Sequence, residues 1–580
     1  MRLWNLAFVA WTVRPTVRPP LIETPSVDVY VPTYDEPEEV LRATLTGCAA
    51  IDYANYRVWV LDDGRREWVR RLAQRYGAGY LTRPTNEHAK AGNINAALSR
   101  TDGDLILSLD ADHVPQPEIL RALVGYFADP GLAMVQTPHE FYNRDSIQHA
   151  REDHHEQSFF FHLIQPGRDV HGAAFWCGSG AVIRRSALVA AGGLSTATIT
   201  EDFHTSLALH GAGWRSRFHD EPLVYGIAPH NLEQFILQRY RWSAGNLAAL
   251  WTPQSPLRRN GLTMRQRACY LTGTVDQFAA LAKVVIICVV AGTLISGDMP
   301  MHARPDAFAV RFAPWLAFSL AASLLLGRGW LRVGIAGRFE SYATSAHLRA
   351  LAAIVRPDAR FRVTPKDGID HGGWGWARSN VEMLAMAALL FTALVWRAGV
   401  IAGGLPGHPL PPFALVVAAL AAAYELQRLV RAAWAISHHR QMRRTFRTPA
   451  DLEASIGAHG PRLHVSDISS RGASVVTPAG VAAPTLGNPL PLVIDLGILG
   501  RHRYWFTPSG VFETRIGGHL EAQTQAAQRA LDAAVYVLAP HHHRIDAEVL
   551  SSGTAWLLAK GLARPVTTAP ASDAPTLLAA

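Results

Sequence analysis

Hydrophobic and polar positions divide the chain into three regimes. From about Pro25 to Trp242, short β-branched runs alternate with stretches of helical period. VDVYVPTY, YRVWVLDDG, DLILSLDADH and LAMVQTPH predict strands, with EEVLRATLTG and HAKAGNINAALSR as helices between them. This alternation predicts an α/β domain with a largely parallel sheet, whose ligands bind at the carboxyl ends of the strands. Asp62, Asp63, Asp110 and Asp112 fall at such ends.

From Thr274 the pattern changes to four apolar runs, near 274–296, 307–326, 379–401 and 413–434. Each approaches the roughly 20 residues that a bilayer core requires. Lys283 and Arg311 interrupt the first two. A lysine inside a span suits a polar path, and an arginine near a span end can snorkel. The segment between the second and third runs holds Arg328, Arg332, Arg338, Arg349, Arg356, Arg360, Arg362, Lys366 and Arg378, whereas GGLPGHPLPP, between the third and fourth, holds no Lys or Arg. The positive-inside rule puts the long loop in the cytosol, and four spans return the chain to that side. Within the loop, SYATSAHLRALAAIV reads as an amphipathic helix on the membrane surface.

After Arg440 the chain is again soluble in character. RLHVSDISSRGASVV and PLPLVIDLG predict strands and turns, followed by a helix near 519–536. The Ala-, Pro- and Thr-rich tail from about Pro565 predicts disorder. The expected organisation is an N-terminal segment 1–24, an α/β domain 25–260, a membrane region 261–436 with an interfacial helix and loop at 338–374, a C-terminal domain 437–564 and a tail 565–580.

Composition fits this mixture. The chain is 49% hydrophobic and 18% charged, with a mean hydropathy of +0.06. That is high for a wholly soluble protein and too charged for a channel-like bundle. The net charge of +8 suits phosphates or lipid headgroups, and an arginine excess on a cytosolic membrane face accounts for it equally. No nucleic-acid partner is expected. Cys48, Cys177, Cys269 and Cys288 form no CxxC pair or metal spacing, which points to a reducing compartment. MRLWNLAFVAWTVRP predicts neither a signal peptide nor a full span. The triple histidine at 541–543 reads as a surface cluster.

Three motifs carry chemistry. In DAD, Asp110 and Asp112 can hold a divalent cation against a diphosphate, although a lone DxD also suits a solvated turn. In TED, Glu201 or Asp202 can act as a general base, while Thr200 or Asp202 can cap the following helix. In QRYRW, Gln238, Arg239 and Arg241 suit a diphosphate and Trp242 suits a sugar face. The alternative for QRYRW is an amphipathic helix with a core Trp and surface Arg.

In this order, ahead of membrane spans, the motifs resemble family-2 glycosyltransferases that make β-linked polysaccharides. PTYDEP, with Thr33, Tyr34 and Glu36, resembles that family's nucleotide-binding start, and Asp62 and Asp63 lie in its DDG. HAKAGNIN resembles the segment in which that family has a phosphate-neighbouring lysine, which would be Lys90. FWCG, with Phe175, Trp176, Cys177 and Gly178, is similar to the FFCG segment beside the acceptor. FRVTPKDG, with Phe361, Val363, Thr364 and Lys366, resembles the gating loop of bacterial cellulose synthase catalytic subunits, which narrows the resemblance to that group.

QMRRTFR, with Arg443, Arg444 and Arg447, followed by DISSRG, with Asp467, Ser469 and Gly472, resembles the PilZ signature that binds cyclic-di-GMP. Juxtamembrane arginines on anionic lipid are the competing reading of RRTFR alone. The family carries transmembrane helices ahead of its catalytic domain, a feature from which residues 1–24 depart.

The resemblance implies a GT-A-type, Rossmann-like catalytic domain, a transmembrane helical region and a small β-barrel PilZ domain. It implies UDP-glucose as donor, a growing β-1,4-glucan as acceptor, Mg2+ or Mn2+ on Asp110 and Asp112, and Asp202 as base. Asp63 and Thr33 would contact uridine, and Thr364 and Lys366 would reach the UDP moiety. It further implies activation by cyclic-di-GMP, a bacterial inner-membrane location and a periplasmic accessory subunit. In the resting state, Arg443, Arg444 or Arg447 would be tied to a carboxylate near the active-site entrance. Three alternatives remain: a synthase of β-1,3-glucan, mannan or a hyaluronan-like glycan; a lipid-directed single-sugar transferase; and a non-catalytic cyclic-di-GMP receptor.

Overall fold

The computed structural model describes residues 16–151, 154–300, 302, 304–331, 333–354, 375–438, 446–458, 460–477, 484–512 and 515–538. The α/β domain is built on a seven-stranded sheet: β1 Val27–Thr33, β2 Tyr56–Asp62, β3 Gly79–Leu81, β4 Leu105–Ser108, β5 Leu132–Gln136, β6 Ala181–Arg184 and β7 Arg215–Phe218. Their spatial order is β7-β5-β6-β4-β1-β2-β3. Helices cover both faces, so β1 is buried at every position, Asp28 and Thr33 included.

β1 pairs in parallel with β2 and β4, whereas β6 runs antiparallel to β4 and β5. That one reversal positions the site. The start of β6 lies opposite the end of β4, with Ala181 paired to Ser108. FWCG, which leads into β6, is thereby delivered beside the DAD turn that leaves β4. A second, three-stranded sheet of Val114–Pro115, Val224–Gly226 and His139–Phe141 continues from that turn.

Among the described residues, four helices are long and apolar enough to cross a membrane: Met264–Ser296, Pro305–Gly327, Val381–Ile401 and Pro412–His438. The first starts ten residues before the expected run at 274, because a reciprocal capping box of Thr263 and Gln266 starts the helix at Met264. Its first turns pack on the α/β domain, where Arg168 donates to the Cys269 carbonyl at 3.1 Å and His210 meets the Tyr270 hydroxyl at 2.8 Å. Lys283 is buried, 3.3 Å from the Ser341 hydroxyl and 3.8 Å from Glu425. Arg311 is exposed and donates to the Ala307 carbonyl. The expected interfacial helix spans Val333–Ala350 and lies on the helix Leu232–Ala248, with Phe339 and Tyr342 against Phe235.

The C-terminal strands Thr448–Ile456, Arg462–Ser469, Gly472–Val476, Leu490–Asp495, Arg501–Phe512 and Arg515–Ala522 close into a barrel. The helix expected near 519–536 is corrected here. Arg515–Ala522 is the closing strand, and the helix Gln525–Ala533 begins only after Thr524, whose side chain caps it. Gly518 permits the closure, since a Cβ there would enter the Phe506 ring and the Thr507 carbonyl. The barrel core contains Val465, Val475, Leu492, Ile494, Tyr504 and Phe506.

Candidate active site

Each motif is placed by the end of a secondary-structure element. DAD leaves β4, and the Asp110 N–H donates to the Ser179 hydroxyl at 2.9 Å, pinning the turn to the segment before β6. Asp112 is buried, and the Asp110 side chain is partly open. Lys90, on the helix Ala89–Leu98, donates to an Asp110 carboxylate oxygen and to the Gly178 carbonyl at 2.6 Å. His113 Nδ1 stands 3.6 Å from the other Asp110 oxygen.

Asp202 lies in the first turn of the helix Glu201–Gly211. A Cβ on Gly178 would stand 3.1 Å from Asp202 Oδ2 and 3.7 Å from Lys90 Nζ, so FWCG forms the floor between base candidate and lysine. Burial, reinforced by neighbouring Glu201, pushes Asp202 up to about 7, against the pull of the Phe203 N–H and Lys90. Burial alone would lower the pKa of Lys90, but Asp110, Glu201 and Asp202 together hold it above its ordinary value. Arg241 joins the cluster: burial depresses its pKa, while Glu201, Asp110 and Asp202 oppose that shift. Three carboxylates thus face two cations at the carboxyl ends of β4 and the neighbouring strands.

Of the two capping candidates in TED, Asp202 accepts from the Phe203 N–H in the first turn at 2.7 Å, whereas Thr200 caps nothing. Thr200 occupies the N-cap position without a capping bond, and its buried hydroxyl has no hydrogen-bond partner among the described residues. Its side chain fits against Gly245 of the QRYRW helix, where a Cβ would collide with it.

QRYRW lies in the helix Leu232–Ala248, and its residues divide between the cluster and a neighbouring network. Arg239 pairs with Glu156 and stacks over Trp242 at 4.3 Å, and Gln238 accepts from Gln148 at 3.0 Å. Of the five residues, Arg241 is the one that the carboxylates surround.

The residues of PTYDEP and DDG form a second network. Thr33 donates to Glu36 at 2.7 Å, as does the Tyr34 N–H at 2.8 Å. Arg66 links Thr33 to Asp62, whose carboxylate also accepts from Tyr80 at 3.0 Å. Asp63 accepts a two-pronged bond from Arg83, at 2.7 Å to each oxygen. Trp176 is fully buried under Lys90, Cys177 N–H donates to Gln136, and Phe175 packs on Phe203.

In the barrel, Arg447 donates to Asp467 at 3.0 Å and Ser474 at 2.8 Å. Ser469 donates to the Gly472 carbonyl across the tight hairpin, and Gly472 leaves space for the Arg447 guanidinium. Arg447 is therefore held within the barrel, not by a carboxylate near the active-site entrance. Arg443, Arg444, Phe361, Val363, Thr364, Lys366 and the triple histidine lie outside the described residues.

Sequence reasoning missed Arg83, Arg66, His113 and Glu156. Arg83 follows Asp63 by twenty positions and belongs to no motif, so only the fold pairs them. The donor set fits a hard divalent cation: two carboxylates on one turn at the strand ends. Among the described residues no group of three or more His, Cys, Asp or Glu could hold a metal, so such a cation would take further oxygens from a substrate.

Residues 25–245 match the family "Glycosyltransferase like family 2", and residues 192–368 match "Cellulose synthase". The chain is 34% identical over 407 residues to cellulose synthase 1 catalytic subunit [UDP-forming] of Komagataeibacter xylinus, covering 68% of this chain and 54% of that one. It is 37% identical over 401 residues to the cellulose synthase catalytic subunit [UDP-forming] of Pseudomonas fluorescens, covering 65% and 53%. The chain thus spans about half the length of these relatives. Among solved structures it is similar to a mannosyltransferase from Pyrobaculum calidifontis in complex with GDP-Man and Mn2+, at TM-score 0.45 and 19% identity, covering 62% of this chain and 95% of that one. The described sheet, apolar helices and barrel are those of a multi-pass membrane protein with a GT-A-type domain. DAD, TED and QRYRW all lie within residues 25–245, which match family-2 glycosyltransferases, and over residues 192–368 the chain matches the cellulose synthase family.

Proposed function

We propose that this chain is a UDP-forming, processive, inverting glycosyltransferase that polymerises UDP-glucose into β-1,4-glucan and passes the product across the bacterial inner membrane. The observation that carries this reading is the enclosure of Asp202 by Glu201, Lys90, Asp110 and Arg241 beside the glycine of FWCG. A carboxylate with a pKa near the working pH suits proton abstraction, a contribution of about 10²–10⁴-fold. Asp202 takes the proton from the acceptor hydroxyl as its oxygen attacks the anomeric carbon. A single displacement turns an α-linked donor into a β-linked product.

Asp110 and Asp112 would hold Mg2+ or Mn2+, which when bound supplies charge neutralisation for the departing diphosphate. Lys90 and Arg241 bring positive charge to the same place, and Glu156 and Gln148 orient Arg239 and Gln238. Thr33, Tyr34, Glu36, Asp62 and Asp63 form the uridine side. Phe175 to Gly178 and Trp242 form the acceptor side.

The convergence of Arg447, Asp467, Ser469 and Gly472 supports a cyclic-di-GMP site at one end of the barrel. The charge pattern of the loops supports cytosolic placement of both soluble domains. The test is linkage analysis of the polymer made from UDP-glucose by the purified chain in lipid, with and without cyclic-di-GMP. An insoluble β-1,4-glucan stimulated by the dinucleotide is expected. A single-sugar product, another linkage, or no product alongside dinucleotide binding would replace this reading with one of its alternatives.

A further inference from the structure

The DISSRG hairpin of the barrel is joined to the catalytic domain along two described routes. In the first, the Tyr536 hydroxyl donates to the buried Ser470 hydroxyl at 3.2 Å, and the Tyr536 ring packs on Tyr142 with centroids 5.4 Å apart. Phe446, the residue before Arg447, packs on the same Tyr142 ring at 5.5 Å. In the second, Gln528 donates to the Ser470 carbonyl at 3.2 Å and to Asp532 at 3.0 Å, and Asp532 accepts from Arg42 at 2.6 Å. Arg471 adds an ion pair with Glu39 at 2.5 Å. Arg42 and Glu39 lie on the helix Glu38–Ala49, which starts next to Glu36.

Tyr142 stands where the first route reaches the chemistry. It is buried, and its N–H donates to the Gly226 carbonyl at 3.2 Å. Tyr142 directly follows the strand His139–Phe141, which pairs with Val224–Gly226, which in turn pairs with Val114–Pro115. Val114 is two residues beyond Asp112. Gly226 also supports the His113 ring so closely that a Cβ would not fit, and His113 in turn reaches toward Asp110. Ala43, Val114, Tyr142 and Tyr225 belong to one apolar cluster with the barrel core, so the sheet carrying the DAD turn and the barrel share a core.

We infer that Tyr142 is a positioning residue for the DAD turn, and that its ring, clamped between Phe446 and Tyr536, makes the placement of Asp110 and Asp112 depend on the state of the DISSRG hairpin. The inference deepens the proposed function and rests on it for the identity of the hairpin's ligand, cyclic-di-GMP. A packed core switches between discrete arrangements because it does not deform continuously. A ligand that moves Phe446 or Ser470 therefore repacks Tyr142 and, through the small sheet, the two carboxylates. Linkage requires the effect to be mutual: occupation of the carboxylates must alter dinucleotide affinity by the same factor.

The test measures binding and needs no turnover. Affinity for UDP is titrated on the full chain in lipid nanodiscs, with Mn2+ and with chelator. Tyr142→Leu weakens Mn2+-dependent UDP binding by about 10–100-fold, the range for residues that orient metal ligands, and leaves UDP binding in chelator unchanged. Tyr142→Phe, which keeps the ring, restores it. Phe446→Leu reproduces the loss from the barrel side, so the question is still answered if Tyr142→Leu misfolds. Wild-type UDP–Mn2+ affinity changes with cyclic-di-GMP by about 5–150-fold, and Tyr536→Phe reduces that factor toward one. Wild-type Mn2+-dependent binding in both Tyr142→Leu and Phe446→Leu overturns the inference. Failure of the wild-type chain to bind cyclic-di-GMP removes the dinucleotide from the proposed function, while the Tyr142 and Phe446 results still decide the positioning role.

Discussion

Gly178 and Asp202 meet at the floor of the site: a Cβ on the glycine would stand 3.1 Å from the Asp202 carboxylate, and the glycine backbone sits at φ +89°. Both facts disfavour a side chain. Left-handed backbone at a non-glycine residue costs on the order of 1–3 kcal/mol. The added methyl would also crowd the Asp202 carboxylate. Gly178→Ala is expected to fold, to melt a few degrees lower and to lose about 10²-fold in turnover, as a displaced catalytic group does. Steady-state rates together with a melting curve check this, and wild-type turnover would show that the floor has slack.

Asp202 must be ionised to accept a proton. Its pKa is raised to about 7 by burial and by Glu201, so the base is active above that pH and inactive below it. The profile of kcat/KM should therefore rise with pH through about 7. Glu201→Gln removes a negative neighbour and should shift that limb toward acid. Asp202→Asn should bind UDP-glucose but turn over at least about 10²-fold more slowly. A profile that is flat between pH 5 and 8 would remove Asp202 from the role.

Arg83 and Asp63 form a buried, two-pronged ion pair on the proposed nucleotide side. Arg83→Ala leaves Asp63 buried without that partner, a cost of about 3–5 kcal/mol. Lysine cannot reproduce the planar fork, so Arg83→Lys should recover only part of the stability and of the UDP affinity. Thermal unfolding and UDP titration of both variants test the pair, and full rescue by lysine would reduce it to simple charge balance.

Arg447 is engaged by Asp467 and Ser474, so a dinucleotide phosphate must compete with Asp467 for the guanidinium. Arg447→Ala should weaken cyclic-di-GMP binding by at least about tenfold, equivalent to 1.4 kcal/mol, and abolish stimulation of polymer synthesis. Asp467→Ala should do the same if the carboxylate reads a base edge. Tighter binding in Asp467→Ala would mean that this residue only restrains Arg447.

Asp110 and Asp112 supply two carboxylates on one turn. Synthesis should stop in EDTA and return with Mg2+ or Mn2+, and Asp112→Asn should raise the metal concentration needed for half-maximal rate. Full activity in chelator would take the cation out of the reaction.

The repeating strand and helix pattern, the four apolar stretches and the order of DAD, TED and QRYRW can be read along the chain because each is local. Side-chain periodicity, span length and short-range spacing need no knowledge of distant contacts. The C-terminal barrel was legible as strands at Arg462–Val476 and Leu490–Asp495, but not at Thr448–Ile456 or Arg501–Phe512. Its last strand was misread as helix, since RIGGHLEA shows its alternation only once Phe506 and Gly518 meet across the closure.

The partners of charged groups were decided by tertiary structure. Arg239 turns to Glu156 while Arg241, two residues on, faces the carboxylates, because neighbours at that spacing point to different sides of a helix. Arg83 reaches Asp63, Arg42 reaches Asp532 across 490 positions, and Tyr142 is clamped by Phe446 and Tyr536. Such pairings follow from which buried surfaces are brought together by the antiparallel turn of β6 and by docking of the barrel. Local sequence carries no signal for them, since burial fixes both a side chain's neighbours and the cost of leaving its charge unpaired.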